Sequence, residues 1–261
     1  MDLSNESMVH VKKDKIEYLQ FKKLLEYKEI VHCYTLSVNN INFKMNQEKE
    51  EESIKKLCDE LKISQTSIVR PKQNHTDIVK IIDKIDENIE NVDGLITNKK
   101  NINMMLSFAD CTPIIIYDPV KNIIANIHSG WRGTVQKIGQ KAVLKIIKEY
   151  NSNPKDLIVC LGPCIGKCHF EVKEDVKNIF EKNFKYLNRN SEIIEQSKDK
   201  EGKFFIDTTL INRLILEEVG IKKENIIESN ICTACNSNIM HSHRINGDLA
   251  GRNICIIGLK N

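Results

Sequence analysis

Residues 104–134, MMLSFADCTPIIIYDPVKNIIANIHSGWRGT, decide the fold. Two short apolar runs rich in isoleucine, 114–117 and 123–127, are bounded by turn residues and read as buried strands. Asp118-Pro119 begins a turn between them. A hairpin of these strands sets the start of the first beside the end of the second. Cys111 and His128 are therefore expected to be neighbours in space. A thiol beside an imidazole serves as an activated nucleophile or as a pair of metal ligands, and the hairpin alone leaves both open.

Outward from this hairpin the chain alternates strands and helices. Residues 15–36 read as strands, as do 67–70 and 78–82, which flank the loop Pro71-Lys-Gln73-Asn-His75-Thr76. Asn46 is the expected cap of a helix to Ile63, with Ile54, Leu57, Cys58 and Leu61 on one face. Asp93-Gly-Leu-Ile-Thr97 reads as a turn and short strand. Thr134 is the expected cap of a helix to Tyr150, which buries Val135, Ile138, Ala142 and Ile146. A strand at 157–161 leads into the turn Gly162-Pro-Cys-Ile-Gly166. Residues 172–184 read as a helix and 185–203 as a polar loop. Asp207 caps a helix to Val219 that Gly220 ends. Residues 226–227, 238–243 and 254–259 read as closing strands. With no long linker, repeat or low-complexity tract, residues 1–261 are expected to form one α/β domain with a mixed sheet.

The composition, 41% hydrophobic and 29% charged over 261 residues, suits a globular protein with a sizeable core. No uncharged apolar run approaches the ~20 residues of a membrane span. The first residues lack the apolar core of a signal peptide, so the nine cysteines are expected as reduced thiols in the cytoplasm. A net charge of +3, with acids and bases intermixed, is no footprint for nucleic acid. Neither a membrane nor a protein partner is expected.

Adding His75 to Cys111 and His128 makes a set of two imidazoles and one thiolate. That set suits zinc and leaves a coordination position open, the pattern of catalytic sites. Ser129-Gly-Trp-Arg-Gly-Thr134 runs from a strand end towards a helix, and Arg132 with a helix start is a candidate anion site. Asp110 is a candidate proton shuttle, or a carboxylate that orients His75 or His128. Trp131 is either core or the cover of a flat ligand. The other cysteines read as structural. Cys160, Cys164 and Cys168 recur every four residues, but the intervening Gly and Pro exclude one helix face. Cys232-Thr-Ala-Cys235 lacks a second pair at zinc-ribbon distance. Replacing Cys160, Cys168 or Cys255 is thus expected to change stability and leave metal content alone. His241 and His243 alternate along an expected strand and face apart, whereas Ser242 and Arg244 share a face from which Arg244 reaches a pocket.

Gln73-Asn-His75, Asp93-Gly-Leu-Ile-Thr97, Ala109-Asp-Cys-Thr-Pro113, His128-Ser-Gly-Trp-Arg-Gly-Thr134, Leu161-Gly-Pro-Cys-Ile-Gly166, and Cys232-Thr-Ala-Cys235 followed by Ser242-His-Arg244 occur in this order. In these motifs the chain resembles the bacterial YfiH/YlmD laccase-domain family, also labelled multicopper polyphenol oxidases, to which human FAMIN belongs. The resemblance runs from Gln73 to the C-terminus. It implies zinc on His75, Cys111 and His128, the oxidase label reflecting an earlier copper assignment. It also implies phosphorolysis of purine nucleosides (inosine, adenosine, guanosine, methylthioadenosine) and adenosine deamination. Read from the residues themselves, Cys111, Asp110 and Arg132 are the candidate catalytic residues, and Gln73, Ser129, Gly130 and Arg244 the candidate substrate contacts. The implied fold is a mixed β-sandwich flanked by helices, similar to the catalytic domain of cytotoxic necrotizing factors, where an equivalent Cys–His pair deamidates. The segment from His32 to Lys44 departs from the family pattern, lacking its arginine and every glycine, and His243 stands where a tyrosine is common. Two rivals are a metal-free cysteine hydrolase or amidase using Cys111 and His128, and a non-catalytic binding protein.

Overall fold

The structure is a computed structural model and describes residues 1–85 and 89–260. Two six-stranded sheets dominate it. The first runs Met8–Lys12, Glu17–Phe21, Ile30–Thr35, Asn253–Leu259, Asn103–Phe108, Ile68–Val69. The second runs Ile226–Glu228, Ile158–Leu161, Thr112–Asp118, Ile123–Ser129, Gly94–Thr97, Val79–Ile81. Three pairings are parallel, Ile68–Val69 with Asn103–Phe108, Val79–Ile81 with Gly94–Thr97 and Ile158–Leu161 with Ile226–Glu228, so both sheets are mixed.

The hairpin follows the period-two rule closely. Ile114, Ile116, Ile123, Ala125 and Ile127 point to one side, where Ile138, Ala142, Val143 and Ile146 of the helix Ile138–Tyr150 cover them. Ile115, Tyr117 and Ile124 point to the other side and meet Leu106, Cys255 and Ile257 of the first sheet. On the far face of the first sheet, Cys33, Met105, Ile254 and Ile256 pack against Leu57 of the helix Lys49–Leu61. The result is a sandwich of two sheets between layers of helix. A polar side chain crosses its middle: Asn126 donates to the carbonyls of Met104 (3.0 Å) and Cys255 (2.9 Å). At the hairpin turn, Asp118 accepts the amides of Val120 and Lys121, which is why the chain reverses there. No helix among the described residues is long and apolar enough to cross a membrane.

Several elements differ from the sequence reading. Thr134 does not cap the long helix. A one-turn helix Trp131–Val135 starts after Gly130, Lys137 adopts a left-handed φ of 58°, and the helix restarts at Ile138. Nor does Asn46 cap the earlier helix: it is itself left-handed, and Glu50 reaches back to accept its amide at 2.7 Å. Residues 185–203 are not a loop. They hold the short helix Asn190–Ile193 and the strand Ile194–Gln196, which joins Lys203–Ile206 and Glu171–Lys173 in a third, three-stranded sheet. Residues 238–243 form no strand, because the Asn253 side chain takes both the N–H (3.1 Å) and the C=O (3.0 Å) of His241, the bonds a neighbouring strand would have made. The Asp207 cap holds, accepting from Leu210 at 2.8 Å, and Gly220 ends that helix with a φ of 99°. In the segment that lacks the family's glycines, Asn39 and Asn40 supply consecutive left-handed residues (φ 57° and 60°), a conformation asparagine tolerates better than most side chains.

Candidate metal centre and active site

The hairpin register pairs Thr112 with Ser129 and Pro113 with His128. This sets Cys111 against the end of the second strand. The loop 71–76 then brings in His75. Ligand atoms of His75, Cys111 and His128 all lie within 4.8 Å of one another, with Cys111 Sγ 3.7 Å from His75 Nε2. His128 is buried, Cys111 half-buried and His75 exposed, so the set opens to solvent on one side.

The residue that organises this set is Asp93, fully buried at the start of the strand Gly94–Thr97. Its Oδ1 lies 2.8 Å from His128 Nδ1 and accepts the His75 amide at 3.1 Å. Its Oδ2 accepts the amides of Asn74 (3.2 Å) and Thr76 (2.7 Å) and the Thr76 hydroxyl (2.8 Å). The loop is wound around one carboxylate. That bonding holds His75 at a left-handed φ of 57°, a conformation that costs a non-glycine residue about 1–2 kcal/mol. From sequence Asp93 marks only a turn, and Asp110 is the candidate proton shuttle or the carboxylate that orients His75 or His128. Asp110 instead accepts from the Thr233 hydroxyl (2.6 Å) and the Arg244 amide (2.6 Å), bracing the pocket wall.

Charge coupling makes this a strongly polarised group. Burial alone would push the Cys111 thiol up, but the facing His128 and His75 outweigh it and bring it down to about 6. Burial alone would likewise lower His128, but Cys111 and Asp93 hold it up at about 9. Against its own burial, Asp93 is drawn down to about 2 by His128 and the Thr76 donors. The two shifts run in the same sense: the fold favours the thiolate of Cys111 and the imidazolium of His128, with the carboxylate behind them.

Gly130 keeps the space open. A Cβ there would stand 2.7 Å from His75 Cδ2 and 3.1 Å from Cys111 Sγ. Its backbone (φ −68°, ψ 172°) suits any residue, so the requirement is room and not conformation. Beyond the triad lies a cleft of about 810 Å³. Trp131, Phe170 and Ile165 give it apolar walls, and its charged lining is mainly cationic, Arg132, Arg244, Arg252 and three lysines against the carboxylates of Asp110, Glu171 and Asp175. Arg132 is exposed and stacks 4.4 Å from the Trp131 ring centroid. Trp131 itself leans on Phe180 with 6.3 Å between ring centroids, so it serves core and cleft together.

The other expected contacts are placed as follows. Gln73 borders the cleft, but its amide is engaged by the Ser107 backbone in both directions (2.8 and 2.9 Å). The Ser129 hydroxyl turns inward to Thr134 (2.9 Å) and Asn212 (3.3 Å) and leaves only the rest of the residue on the cleft. Arg244 borders the cleft and donates to the carbonyls of His169 (2.8 Å) and Glu171 (3.0 Å). His241 lies 3.1 Å from the Ile41 carbonyl through Nε2, while His243 borders the cleft. The sequence reading missed one further grouping: Cys168, His169, Cys232 and Cys235 converge.

The two histidines and one cysteine form a group open to solvent on one side, placed to hold a metal ion, and they line the cleft. The chain belongs to the multi-copper polyphenol oxidoreductase laccase family, whose pattern it matches over residues 34–260. It is 34% identical over 248 residues to a purine nucleoside phosphorylase of Clostridium acetobutylicum, covering 94% of this chain and 97% of that protein. It is 33% identical over 205 residues to the adenosine deaminase RL5 of an unknown prokaryotic organism, covering 75% of this chain and 76% of that one. Among solved structures, YfiH of Bacillus licheniformis superposes with a TM-score of 0.87 at 26% identity, covering 96% of this chain and 99% of that one.

Asp93→Asn is expected to weaken cleft metal binding about 10- to 100-fold, the usual cost of losing a carboxylate behind a ligating histidine. An asparagine NH₂ would also face amides that need an acceptor. Competition with a chromophoric chelator measures this, and unchanged affinity would remove Asp93 from its organising role.

Proposed function

We propose that the chain is a zinc-dependent purine nucleoside enzyme, with residues 1–261 as one such domain acting in the cytoplasm. Its reactions would be phosphorolysis of inosine, adenosine, guanosine and methylthioadenosine, and deamination of adenosine. The observation that carries the reading is the triad itself: His75, Cys111 and His128 converge with an open side, beneath a cationic cleft large enough for a nucleoside and phosphate. The names of the relatives support the substrate class.

The fit to zinc rests on the donors. One soft thiolate with two imidazoles is a zinc set, and the 3.7 Å between Cys111 Sγ and His75 Nε2 suits two ligands on one tetrahedral ion. When bound, zinc supplies a Lewis acid at the cleft floor and lowers the pKa of a water placed there. The protein's own groups do the rest. Trp131 and Phe170 offer flat apolar faces to a base. Arg132 and the cationic lining hold phosphate, and the one-turn helix after Gly130 is too short to carry that role. Asp93 keeps His128 oriented, and Asp110 fixes the wall from which Arg244 extends.

The test is turnover of inosine, adenosine and methylthioadenosine by metal-loaded protein, with and without phosphate. Arg132→Ala should keep its metal and lose phosphorolysis by about 1.5–3 kcal/mol, the value of charge-assisted hydrogen bonds, while deamination suffers less. No turnover of any nucleoside under either condition would end the reading. Equal damage to both reactions would end the assignment of Arg132 to phosphate.

One observation favours a second reading. Cys111, His128 and Asp93 also stand in sequence, thiol beside imidazole and imidazole on a carboxylate at 2.8 Å, the arrangement of a cysteine hydrolase or amidase. Amidase activity that survives metal removal would favour that reading over the zinc one.

A further inference from the structure

A second group of soft donors lies outside the cleft triad. Cys168 and His169 follow the turn Gly162–Gly166, and Cys232 and Cys235 lie in the segment after the strand Ile226–Glu228. One ligand atom from each lies within 4.8 Å of all the others. Cys168 Sγ is 3.7 Å from Cys235 Sγ. His169 Nδ1 is 3.2 Å from Cys168 Sγ, 3.4 Å from Cys235 Sγ and 3.8 Å from Cys232 Sγ. A tetrahedral zinc ion holds sulfurs about 3.8 Å apart and sulfur and imidazole nitrogen about 3.6 Å apart, given its bond lengths. The four separations just given come close to those edge lengths.

The surroundings fit a ligand cradle. Cys232 Sγ accepts the Gly166 amide at 3.2 Å, and an N–H donated to sulfur favours the thiolate a metal needs. A Cβ on Gly166 would come within 3.3 Å of both Cys168 Sγ and Cys232 Cβ, so the absence of a side chain there leaves the group room to close. The two loops are aligned by main-chain bonds, Cys164 N–H to Ile231 (3.3 Å) and Thr233 N–H to Cys164 (3.0 Å).

We propose that Cys168, His169, Cys232 and Cys235 form a second, structural zinc site. Three thiolates and an imidazole fill all four positions, which distinguishes it from the open site in the cleft. Its place in the fold gives it a task. The loops it joins hold Asp110 from two sides, through the Ile165 amide on the Asp110 carbonyl (2.8 Å) and the Thr233 hydroxyl on its carboxylate (2.6 Å). The His169 carbonyl accepts from Arg244 at 2.8 Å. A metal there staples the wall that carries Asp110 and Arg244. Cys168, which spacing alone leaves as a stability residue, becomes a ligand, whereas Cys160 and Cys255, buried in the sandwich, keep that structural role. The site stands independently of the cleft chemistry.

The experiment is zinc content by elemental analysis of the full chain purified under reductant, with wild type, Cys235→Ser and Cys111→Ser side by side. Cys235→Ser is expected to contain one zinc fewer than wild type. Cys111→Ser should retain the second zinc whatever happens in the cleft, so failure of the cleft reading leaves a different pattern from failure of this one. Should Cys235→Ser not fold, cobalt-loaded Cys111→Ser decides: intense thiolate-to-cobalt bands in the near ultraviolet are expected from a three-sulfur site. Equal zinc in Cys235→Ser and wild type, no such bands in the cobalt protein, or an intact mass about 2 Da low with Cys168 and Cys235 joined as a disulfide would each overturn the proposal.

Discussion

Cys111→Ser is expected to fold and to lose the cleft metal. Serine nearly preserves the volume, and Cys111 lies beyond the end of a strand whose core contacts come from Ile114, Ile115, Ile116 and Tyr117. What disappears is the soft donor, so affinity should drop by more than the roughly 100-fold upper cost of losing an outer carboxylate. Both nucleoside reactions should fall with it. The pH dependence should change as well. In the wild type between about pH 6 and 9, Cys111 is already deprotonated while His128 carries a proton the metal must displace. Wild-type affinity should therefore rise about tenfold per pH unit across that window, one proton leaving per metal bound. In Cys111→Ser the thiolate no longer holds up the His128 proton, so that slope should flatten within the same window. Chelator competition at several pH values measures both effects. Retained metal with full turnover in Cys111→Ser would mean that the cleft ligands are misassigned.

Gly130→Ala is expected to be as damaging to the site, though it adds one carbon and removes no ligand. The new Cβ would overlap His75 Cδ2 at 2.7 Å, closer than carbon atoms approach in proteins. His75 is the exposed ligand on a loop, and it should yield first, taking one of three ligands out of reach. Metal content should fall while the thermal unfolding of the hairpin core changes little. Gly133→Ala is the control. Its nearest neighbour is the Ile138 Cγ2 methyl at 3.3 Å, and it meets the triad only at the His128 backbone carbonyl, at an ordinary 3.6 Å, with no ligand side chain among its three closest contacts. Equal metal loss in both variants would point to the turn's backbone and away from the space beside His75.

The hairpin and the meeting of Cys111 with His128 were legible in the sequence because their information is local. Runs of isoleucine mark two buried strands, Asp118 announces the turn, and strand pairing then forces Cys111 towards His128, whereas His75, 36 residues from Cys111, joins them through the motifs shared with the family and not through local pattern. The helix Ile138–Tyr150 was legible for the same reason, although the break at Lys137 was not, since nothing marks a lysine for a left-handed backbone. What was missed depends on partners far apart in the chain. Asp93 bonds to His128, 35 residues away, and to the loop at 74–76, so by itself it looks like half of an Asp-Gly turn. Cys168 and Cys235 are 67 residues apart, and a search by spacing within one segment passes over both. Residues 238–243 alternate like a strand but find their bonds in one asparagine side chain, which no periodicity reveals.

Asn126, whose amide crosses the sandwich, acts as a registration mark for the centre. It sits two residues before His128 on the same face of the strand, and both turn towards Asn103–Phe108. A slip of one residue would turn Asn126 and His128 onto the apolar face beneath the helix Ile138–Tyr150, and the packing of that face already resists it. A slip of two keeps each residue on its face, so apolar packing resists it less. That slip would carry Asn126 off the Met104 and Cys255 carbonyls and strand a buried amide at a cost of about 1–3 kcal/mol. The polar contact thus discriminates against the one misalignment that greasy surfaces tolerate, and it keeps the imidazole at the strand's end in step with the thiol across the hairpin.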